Sequence, residues 1–426
     1  MMHSRRAATA LVATLILTTT AACAAGPAAS TTPAGSASEA SSAATYGKAL
    51  TVWVMGDSAT KFEQLIAPFE TQSGIDVTVE AIPWDSVNDR LTSAVASGKG
   101  PDVTQIGLSQ LASFLKGDAL ADVSADLAAY PNLAESNFPS AVASTALNPS
   151  GGVYSVPWIA DTRVLFYRSD LLSAAGIAAP PKTWDELRAD AKKLTDKAAK
   201  HYGYYIPQWD APLPVTYTWQ AGGEIMADGK IDVTSDAFTK AADHYLGLYA
   251  DGSVPTASDF DQTTGFISGS VAMLVSGPYL AKAVAEQAPE LDGKWSVATV
   301  PTDVSGTSLY AGSNLGVWKN TTNKVGALML LNYLADPATQ VAWYTSNGDL
   351  PAATKAYQDA KLSADPLVQV YAEQLKDARL LPVSTKWDAA SSEILNALNK
   401  IAVSGADKGA TLKALADKVA TINAGN

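Results

Sequence analysis

The chain has 426 residues, of which 47% are hydrophobic, and its formal net charge at pH 7 is −12. This length allows two or three domains, each able to bury a sizeable apolar core. The acidic balance argues against nucleic acid or an anionic membrane surface as a partner, because both are bound through basic patches.

The N-terminal residues have the pattern of an export signal. Arg5 and Arg6 form a basic region, and they are followed by an apolar stretch over 7–19 that is too short to span a bilayer. Small residues then precede Cys23, the single cysteine of the chain. We therefore predict a lipoprotein signal peptide over residues 1–22.

The stretch TTTAAC, which ends at Cys23, resembles a bacterial lipobox, although Thr20 stands where the usual pattern has an aliphatic residue. The resemblance implies a lipid anchor on Cys23, with a free thiol as the alternative. The residues that follow are mostly Ala, Ser, Thr, Gly and Pro, which cannot bury enough apolar surface to fold. We predict a flexible, lipid-anchored tether over 23–47, with the lipid as the only attachment to the membrane.

Strands and helices are predicted to alternate from residue 49 onward. Runs of β-branched and aromatic residues predict strands, and apolar residues at helical spacing followed by glycine predict helices. The predicted order is a strand over Ala49–Gly56, a helix through Phe62, Leu65, Ile66 and Phe69 ending at Gly74, a strand over Ile75–Ile82, a helix through Val87, Leu91 and Val95 ending near Gly98, and a strand over Asp102–Gly107. This order is typical of a parallel sheet covered by helices, whose ligands bind beyond the carboxyl ends of the strands.

Further elements are predicted from capping and turn signals. They are a helix from Trp184 with a capping box of Thr183 and Glu186, a hairpin that turns at Asp228-Gly229, strands over Ser270–Leu280 and Lys294–Pro301, and mainly helices from Lys324 to the end.

One apolar stretch, YSVPWIADTRVLFYRSDLL over 154–172, is interrupted by two opposite charges. Side chains of a strand alternate between its two faces, so Asp161 and Arg163 are expected to point the same way. One interpretation is a structural ion pair. The other is a strand that crosses a cleft and presents a polar face to a ligand.

Most catalytic motifs are missing from the sequence, including a nucleophile elbow, a phosphate-binding loop and a dinucleotide motif. Outside the signal peptide the histidines are His201 and His244, and neither has a second ligand at metal-binding spacing. We therefore predict no metal and no cofactor. A glycosidase-like carboxylate pair drawn from Asp57, Asp161 and Glu224 is an alternative that the sequence leaves open.

The aromatic residues favour a carbohydrate ligand. The chain has 10 Trp and 16 Tyr but only 8 Phe, whereas a core built for packing alone would favour residues without polar atoms. Flat rings beside polar groups suit sugars, which stack their C–H faces and hydrogen-bond through their hydroxyls. Aromatic residues in loop-like settings are Trp209, Trp219, Tyr279, Tyr310 and Trp387. Trp158 and Trp184 are predicted to be packing residues.

A series of motifs between Leu50 and Asn423 resembles, in the same order, the maltose-binding-protein-like, family 1 solute-binding lipoproteins of bacterial ABC sugar importers. The matching motifs are FETQSGIDVTVEAIPWD, ASGKGPDV, YSVPWIADTRVLFYRSDLL, PPKTWDEL, GSVAMLVSGPYL, GSNLGVWKNTTNK, NGDLPAA and PVSTKWDAASSEILNALNKI. Each motif alone is weak, but the ordered set is specific.

The resemblance implies an α/β, two-lobed periplasmic-binding-protein-like fold of class II with a ligand cleft between the lobes. The implied lobes are an N-terminal one over 48–157 and 313–352 and a C-terminal one over 158–312 and 353–426. Asp161 and Arg163 would lie on the first crossing between lobes, at the cleft floor. Gly312 and Ser313 would lie on the second crossing, where they let the backbone approach the ligand.

Further ligand contacts are implied residue by residue. Asp57 after the first strand, and Ser109 with Gln110 after the third, match polar contacts of the N-terminal lobe. Tyr279 stands where the family has tryptophan, so the identity of the sugar stays open. Trp387 matches an aromatic residue of the C-terminal lobe that covers the sugar.

The resemblance implies a non-enzymatic, monomeric protein that is lipid-anchored on the extracellular face of the cell membrane. It would bind a mono- or oligosaccharide and deliver it to the transmembrane permease of an ABC importer. The alternatives are a secreted glycan-processing enzyme and a binder of another solute, such as a polyamine or ferric ion.

Overall fold

The computed structural model describes residues 46–425, apart from 57, 84–85, 147–150, 258–259, 383 and 385. The predictions for the signal peptide, for the lipid anchor at Cys23, for nearly all of the tether and for Asp57 lie outside the described residues. None of the described helices combines the length and hydrophobicity that are needed to cross a bilayer.

The predicted βαβ order at the start of the body is confirmed. It consists of β1 (Ala49–Met55), α1 (Ala59–Ser73), β2 (Asp76–Ile82), α2 (Val87–Ser97) and β3 (Val103–Gly107). Both helices end as predicted at glycines in the left-handed region, Gly74 with φ 64° and Gly98 with φ 66°. β1 pairs in parallel with both β2 and β3, so the carboxyl ends of these strands meet at one edge.

The elements that follow alternate between short strands and helices. Up to residue 250 they are α3 (Leu111–Lys116), α4 (Ser140–Ala143), β4 (Val156–Thr162), β5 (Val164–Tyr167), α5 (Ser169–Ala174), α6 (Trp184–Lys193), α7 (Pro212–Gln220), β6 (Met226–Ala227), β7 (Lys230–Ile231) and α8 (Asp236–Ala250). After that come α9 (Gln262–Ser268), β8 (Met273–Ser276), α10 (Pro278–Gln287), β9 (Ser296–Ala298), β10 (Ser308–Val317), α11 (Lys324–Leu334), α12 (Pro337–Asn347), α13 (Ala360–Ser363), α14 (Pro366–Gln374), β11 (Ala378–Arg379), α15 (Trp387–Ser404) and α16 (Lys408–Ala424).

Local signals predicted several of these elements correctly. Thr183 and Glu186 form the capping box of α6, and β6 and β7 form the predicted hairpin. The predicted strand over Ser270–Leu280 is wrong in its second half, because β8 ends at Ser276 and α10 begins at Pro278. Proline is well suited to the first turn of a helix, since its missing N–H has no partner there in any case.

Two main sheets organise the chain. In the larger sheet the strand order is β11-β10-β3-β1-β2, and β4 also pairs with β10. β10 runs antiparallel to β3 and to β4, and parallel to β11. The smaller sheet has the order β8-β5-β9 and is antiparallel throughout.

Each sheet has its own apolar core. Buried residues packed around the larger sheet come from 50–160 and 310–353, and those around the smaller sheet come from 164–309 and 341–419. This is an α/β fold with two lobes. The exact lobe bounds given above, 48–157 with 313–352 and 158–312 with 353–426, stay predictions.

The chain crosses between the sheets at the interrupted apolar stretch. β4 belongs to the larger sheet and β5 to the smaller one, and Arg163 is the single residue between them. The first residues of β10 lie beside this crossing, because Tyr310 and Ala311 pair with Thr162 and Asp161.

Candidate ligand-binding site

A cavity of about 620 Å³ lies at this crossing, within the usual size range for small-ligand sites. Its walls come from both lobes: the ends of β1 and β3, the β4–β5 and β10 crossings, α10, and the chain after α12. Polar and charged residues on the walls are Ser58, Gln105, Ser109, Asp161, Arg163, Tyr279, Lys282, Glu286, Gln287, Ser313, Asn347 and Asp349.

Asp161 and Arg163 point the same way, as predicted, and form an ion pair on the cavity wall. Arg163 Nη1 donates to Asp161 Oδ2 at 2.8 Å, and the side chains are 25% and 20% exposed for Arg163 and Asp161 respectively. Asp161 Oδ1 is buried and has no hydrogen-bond partner among the described residues. Burial raises the pKa of Asp161, and the charge of Arg163 only partly opposes this rise. Among the described residues, the pair thus keeps one unsatisfied acceptor, on a side chain that is partly exposed at the cavity.

Arg163 is held in place by its surroundings. A Cβ atom on Gly277 would lie 2.2 Å from Arg163 Nη1, so the guanidinium occupies space that only glycine leaves free. The guanidinium carbon lies 5.5 Å from the ring centre of Tyr279. Burial lowers the pKa of Arg163, but the charges of Asp161, Tyr279 and Asp210 outweigh this, so the pKa is raised overall. Arg163 therefore stays charged.

Tyr279 lies on the cavity wall, as expected from the sequence. It is 42% exposed, and its hydroxyl accepts hydrogen bonds from Ser276 Oγ at 2.9 Å and Gln262 Nε2 at 3.1 Å. These bonds fix the ring with one face toward Arg163. Its predicted contact with a sugar stays a prediction.

The larger lobe contributes a polar pair of which the sequence analysis named Ser313 and missed Gln105. Gln105 in β3 donates from Nε2 to Ser313 Oγ at 2.7 Å and accepts at Oε1 from the Met55 N–H at 3.0 Å. Ser109 also lies on the wall, whereas Gln110 is not among the described lining residues and its Oε1 is buried without a partner there. A glutamine near the carboxyl end of the third strand, where ligands of parallel sheets bind, was the signal that could have identified Gln105.

Gly312 lies on the cavity wall, and the close approach of strand β4 requires a glycine at this position. Its φ is 145°, and a Cβ atom would come within 2.2 Å of the Ile159 carbonyl oxygen. The pairing of β10 with β4 is irregular immediately afterwards, between Ser313 and Asn314. The sequence analysis gave close approach to a ligand as the reason for glycine; the structure shows close strand contact as a further reason, and the ligand contact stays a prediction.

Asp349 is a second carboxylate on the cavity wall and was also missed, although it lies in the quoted motif NGDLPAA. Its Oδ2 accepts hydrogen bonds from Trp343 Nε1 at 2.9 Å and from Asn347 Nδ2 at 2.7 Å. Burial raises the pKa of Asp349, and the nearby Asp161 carboxylate raises it further. Two carboxylates therefore influence each other across this cavity.

Three of the predicted aromatic contacts are not brought to the described cavity wall. Trp219 and Trp387 are only 3% and 4% exposed and pack in the apolar core of the smaller lobe. Trp209 is 64% exposed, outside the lining residues. The positions of Trp219 and Trp387 do not support a ligand platform, because their faces are covered by core side chains. Tyr310, by contrast, is buried and lines the cavity.

Trp158 and Trp184 pack as predicted. Trp158 lies 5.8 Å from Trp343 between ring centres, and Trp184 stacks on His244 at 4.0 Å. His244 is buried and its Nε2 has no hydrogen-bond partner in the described part of the chain; burial, and then the charge of Arg188, lower its pKa to about 3. His244 is therefore neutral and part of the packing.

The structure does not bring Glu224 to Asp161. Glu224 is exposed, pairs with Arg379, and is not among the described lining residues of the cavity. In the described part of the chain, no three His, Cys, Asp or Glu side chains are grouped as a metal ion would require.

Residues 54–341 match the family of bacterial extracellular solute-binding proteins. The chain belongs to this family. Among relatives of this solute-binding protein, a binding protein of Brucella abortus is 29% identical over 376 residues, which cover 85% of this chain and 89% of the relative. A maltooligosaccharide ABC transporter solute-binding lipoprotein of Streptococcus pneumoniae is 25% identical and covers 84% of this chain and 86% of its own length.

A solved structure gives the same result for the fold. The sugar-binding protein MalE of Xanthomonas citri is 28% identical to this solute-binding protein and superposes with a TM-score of 0.81 over 88% of this chain and 97% of MalE. The family resemblance inferred from the sequence motifs and the two-lobed α/β fold are both confirmed.

Proposed function

We propose that this solute-binding protein captures a mono- or oligosaccharide in the cavity between its lobes and delivers it to the permease of an ABC transporter. The observation that carries this proposal is the ion pair of Asp161 and Arg163 on the cavity wall, in which one buried carboxylate oxygen has no partner among the residues that the structure describes. A carboxylate in this state accepts strong hydrogen bonds from hydroxyl groups. The named relatives, which are a maltooligosaccharide transporter lipoprotein and a sugar-binding protein, support the same substrate class.

The cavity walls also explain how a sugar could be held by both lobes. Gln105, Ser109 and Ser313 offer an amide and hydroxyls from the larger lobe, and Tyr279 offers a ring from the smaller one. A ligand that contacts both sets favours the arrangement in which they are close together. Binding of this kind needs no bond breaking, so the sugar should leave unchanged.

A thermal-shift screen of the mature protein against neutral mono- and oligosaccharides tests this proposal. A ligand at about 100 times its Kd stabilises the native state by about 2.7 kcal/mol, which raises the Tm by several degrees. Chromatography of the sugar after long incubation should recover it intact. A screen in which no sugar raises the Tm contradicts sugar capture, and recovery of cleaved sugar favours the glycan-processing enzyme.

We further propose that a lipid on Cys23 holds the protein at the extracellular face of the membrane. The sequence context of Cys23 supports this, as do relatives named as lipoproteins. Cys23→Ala should release the protein into the medium, and Thr20→Ala, which keeps the cysteine, should stay with the membrane fraction. A Cys23→Ala protein that remains membrane-bound at the wild-type level contradicts the anchor.

A further inference from the structure

The described cavity wall carries more carboxylates than cationic side chains. Its carboxylates are Asp161, Glu286 and Asp349, and its cations are Arg163 and Lys282. Each cation already pairs with a carboxylate of the same wall: Arg163 with Asp161 at 2.8 Å, and Lys282 with Glu286 at 3.5 Å. Lys282 Nζ also donates to the Ser346 carbonyl at 2.9 Å. Each lining cation of the described wall therefore already has a carboxylate partner.

Asp349 is the remaining carboxylate. Its described hydrogen-bond donors are the indole of Trp343 and the amide of Asn347, which are neutral, and both reach Oδ2. Among the described residues, Asp349 has no Lys or Arg within ion-pair distance. These neutral donors hold the carboxylate in place, and the charge of Lys282, beyond ion-pair distance, lowers the pKa of Asp349 without outweighing burial.

Asp161 adds a second acceptor to the same wall, because its buried Oδ1 has no partner among the described residues. Hydroxyl groups can donate hydrogen bonds to both carboxylates without bringing any charge. A carboxylate or phosphate group on the ligand would instead bring a further negative charge into a partly desolvated space, where repulsion is stronger than in water.

We propose that Asp349 contacts the ligand and, together with Asp161, makes the cavity selective for sugars that carry no acidic group. This inference rests on the proposed sugar-binding function and deepens it. Asp349 is the specificity-determining residue, because among the lining carboxylates of the described wall it is the one without an ion-pair partner.

The test compares neutral sugars with acidic counterparts, of which the uronates keep nearly the same shape as the neutral sugar. Calorimetric titration is done with glucose and glucuronate, galactose and galacturonate, and maltose and maltose 6′-phosphate. For each pair in which the neutral sugar binds, we expect the acidic sugar to bind about 100-fold more weakly or worse. An acidic sugar that binds within tenfold of its neutral counterpart overturns the selectivity and leaves sugar capture intact. A panel in which neither kind binds overturns both proposals.

Two variants test whether the preference for neutral sugars comes from the carboxylates of the cavity wall. Asp349→Asn keeps the shape and an acceptor oxygen for Trp343 but removes the charge, so the preference for the neutral sugar should shrink by about tenfold or more. Glu286→Gln removes a carboxylate whose side chain is 64% exposed and frees Lys282, so it should fold normally and shift the preference in the same direction.

The matched control is Asp292→Asn, which makes the same change in net charge at an exposed position outside the described cavity wall. It should keep the wild-type preference. A preference that is unchanged in Asp349→Asn, or changed equally in Asp292→Asn, overturns the role given to Asp349. If Asp349→Asn does not fold, an unchanged preference in Glu286→Gln overturns the charge mechanism.

Discussion

Two pairs of Asp and Arg lie within one stretch of 19 residues and have the same spacing, but they have opposite chemical environments. Asp161 pairs with Arg163 at the cavity, and Arg168 pairs with Asp170 at the start of α5. In the second pair, Arg168 Nε and Nη2 donate to the two oxygens of Asp170 at 2.9 and 2.7 Å. Arg168 Nη1 donates to the carbonyls of Phe266 and Ile267.

The two pairs differ in how many of their carboxylate oxygens accept hydrogen bonds. Both oxygens of Asp170 are used, and although burial raises the pKa of Asp170, the hydrogen bonds and charge of Arg168 outweigh this and lower it. Asp161 receives one hydrogen bond from Arg163 and keeps a buried oxygen free, so burial prevails and its pKa is raised. A saturated pair stabilises the fold, whereas an unsaturated pair retains binding capacity at a cost in stability.

The largest effect is expected when the saturated pair is broken. Asp170→Ala leaves Arg168, which is 6% exposed, without its carboxylate. Loss of one partner from a buried pair costs about 3–5 kcal/mol, and because the Asp170 side chain is 34% exposed we expect a loss of about 2–3 kcal/mol in the free energy of unfolding. Urea unfolding measures this. Sugar affinity in the folded protein should be unchanged. A fall in affinity without a fall in the free energy of unfolding would show that Asp170 serves binding rather than stability.

The second largest effect is expected in binding. Asp161→Ala removes the free acceptor, so affinity for the bound sugar should fall by about 1–3 kcal/mol. Stability should fall less than in Asp170→Ala, because the burial cost of the Asp161 carboxylate is also removed. Calorimetric titration beside an unfolding curve separates the two quantities. Wild-type affinity in a folded Asp161→Ala protein would remove Asp161 from the site.

The contributions of the two pairs should also respond differently as the pH is lowered. The raised pKa of Asp161 means that this carboxylate protonates above the ordinary aspartate range near 3.9, so the affinity should fall first. The lowered pKa of Asp170 means that its contribution to stability is complete above that range and is lost only as the pH falls through its lower folded value. Affinity and urea midpoints measured from about pH 7 to pH 3 test this order. In Asp161→Asn, the early fall in affinity should become smaller, and an unchanged profile would assign it to another group.

The smallest effect is expected when Gly277, which leaves room for the guanidinium of Arg163, is replaced. Gly277 has φ −99° and ψ 177°, which alanine can adopt, but the added Cβ would displace the guanidinium of Arg163. Gly277→Ala should therefore lower sugar affinity by about 1 kcal/mol, the order of one hydrogen bond, with little effect on the Tm. Gly306→Ala, whose Cβ meets only Thr302 at 3.2 Å, is the matched control. Equal affinities in the two variants would contradict the positioning role of Gly277.

The residues of the site were predictable only where a local signal marked them. Asp161 and Arg163 interrupt an apolar strand, so their shared direction followed from strand alternation alone. Gln105 and Asp349 come from segments far apart in the chain, and their meeting at one cavity depends on how β3 and the end of α12 pack. Trp219 and Trp387 have neighbours that are typical of loops, but the packing of α7 and α15 buries both rings.

The sequence by itself determined the order of strands and helices at the start of the body, their glycine ends and the capping box of α6, because these depend on residues within a few positions of each other. The tertiary structure alone decided that Gly312 is needed beside Ile159, and that Asp161 keeps an oxygen without a partner among the described residues while Asp170 does not. These outcomes depend on which distant segment supplies the neighbouring atoms. Two Asp–Arg pairs with the same spacing in the sequence therefore differ in hydrogen bonding once the chain has folded around them.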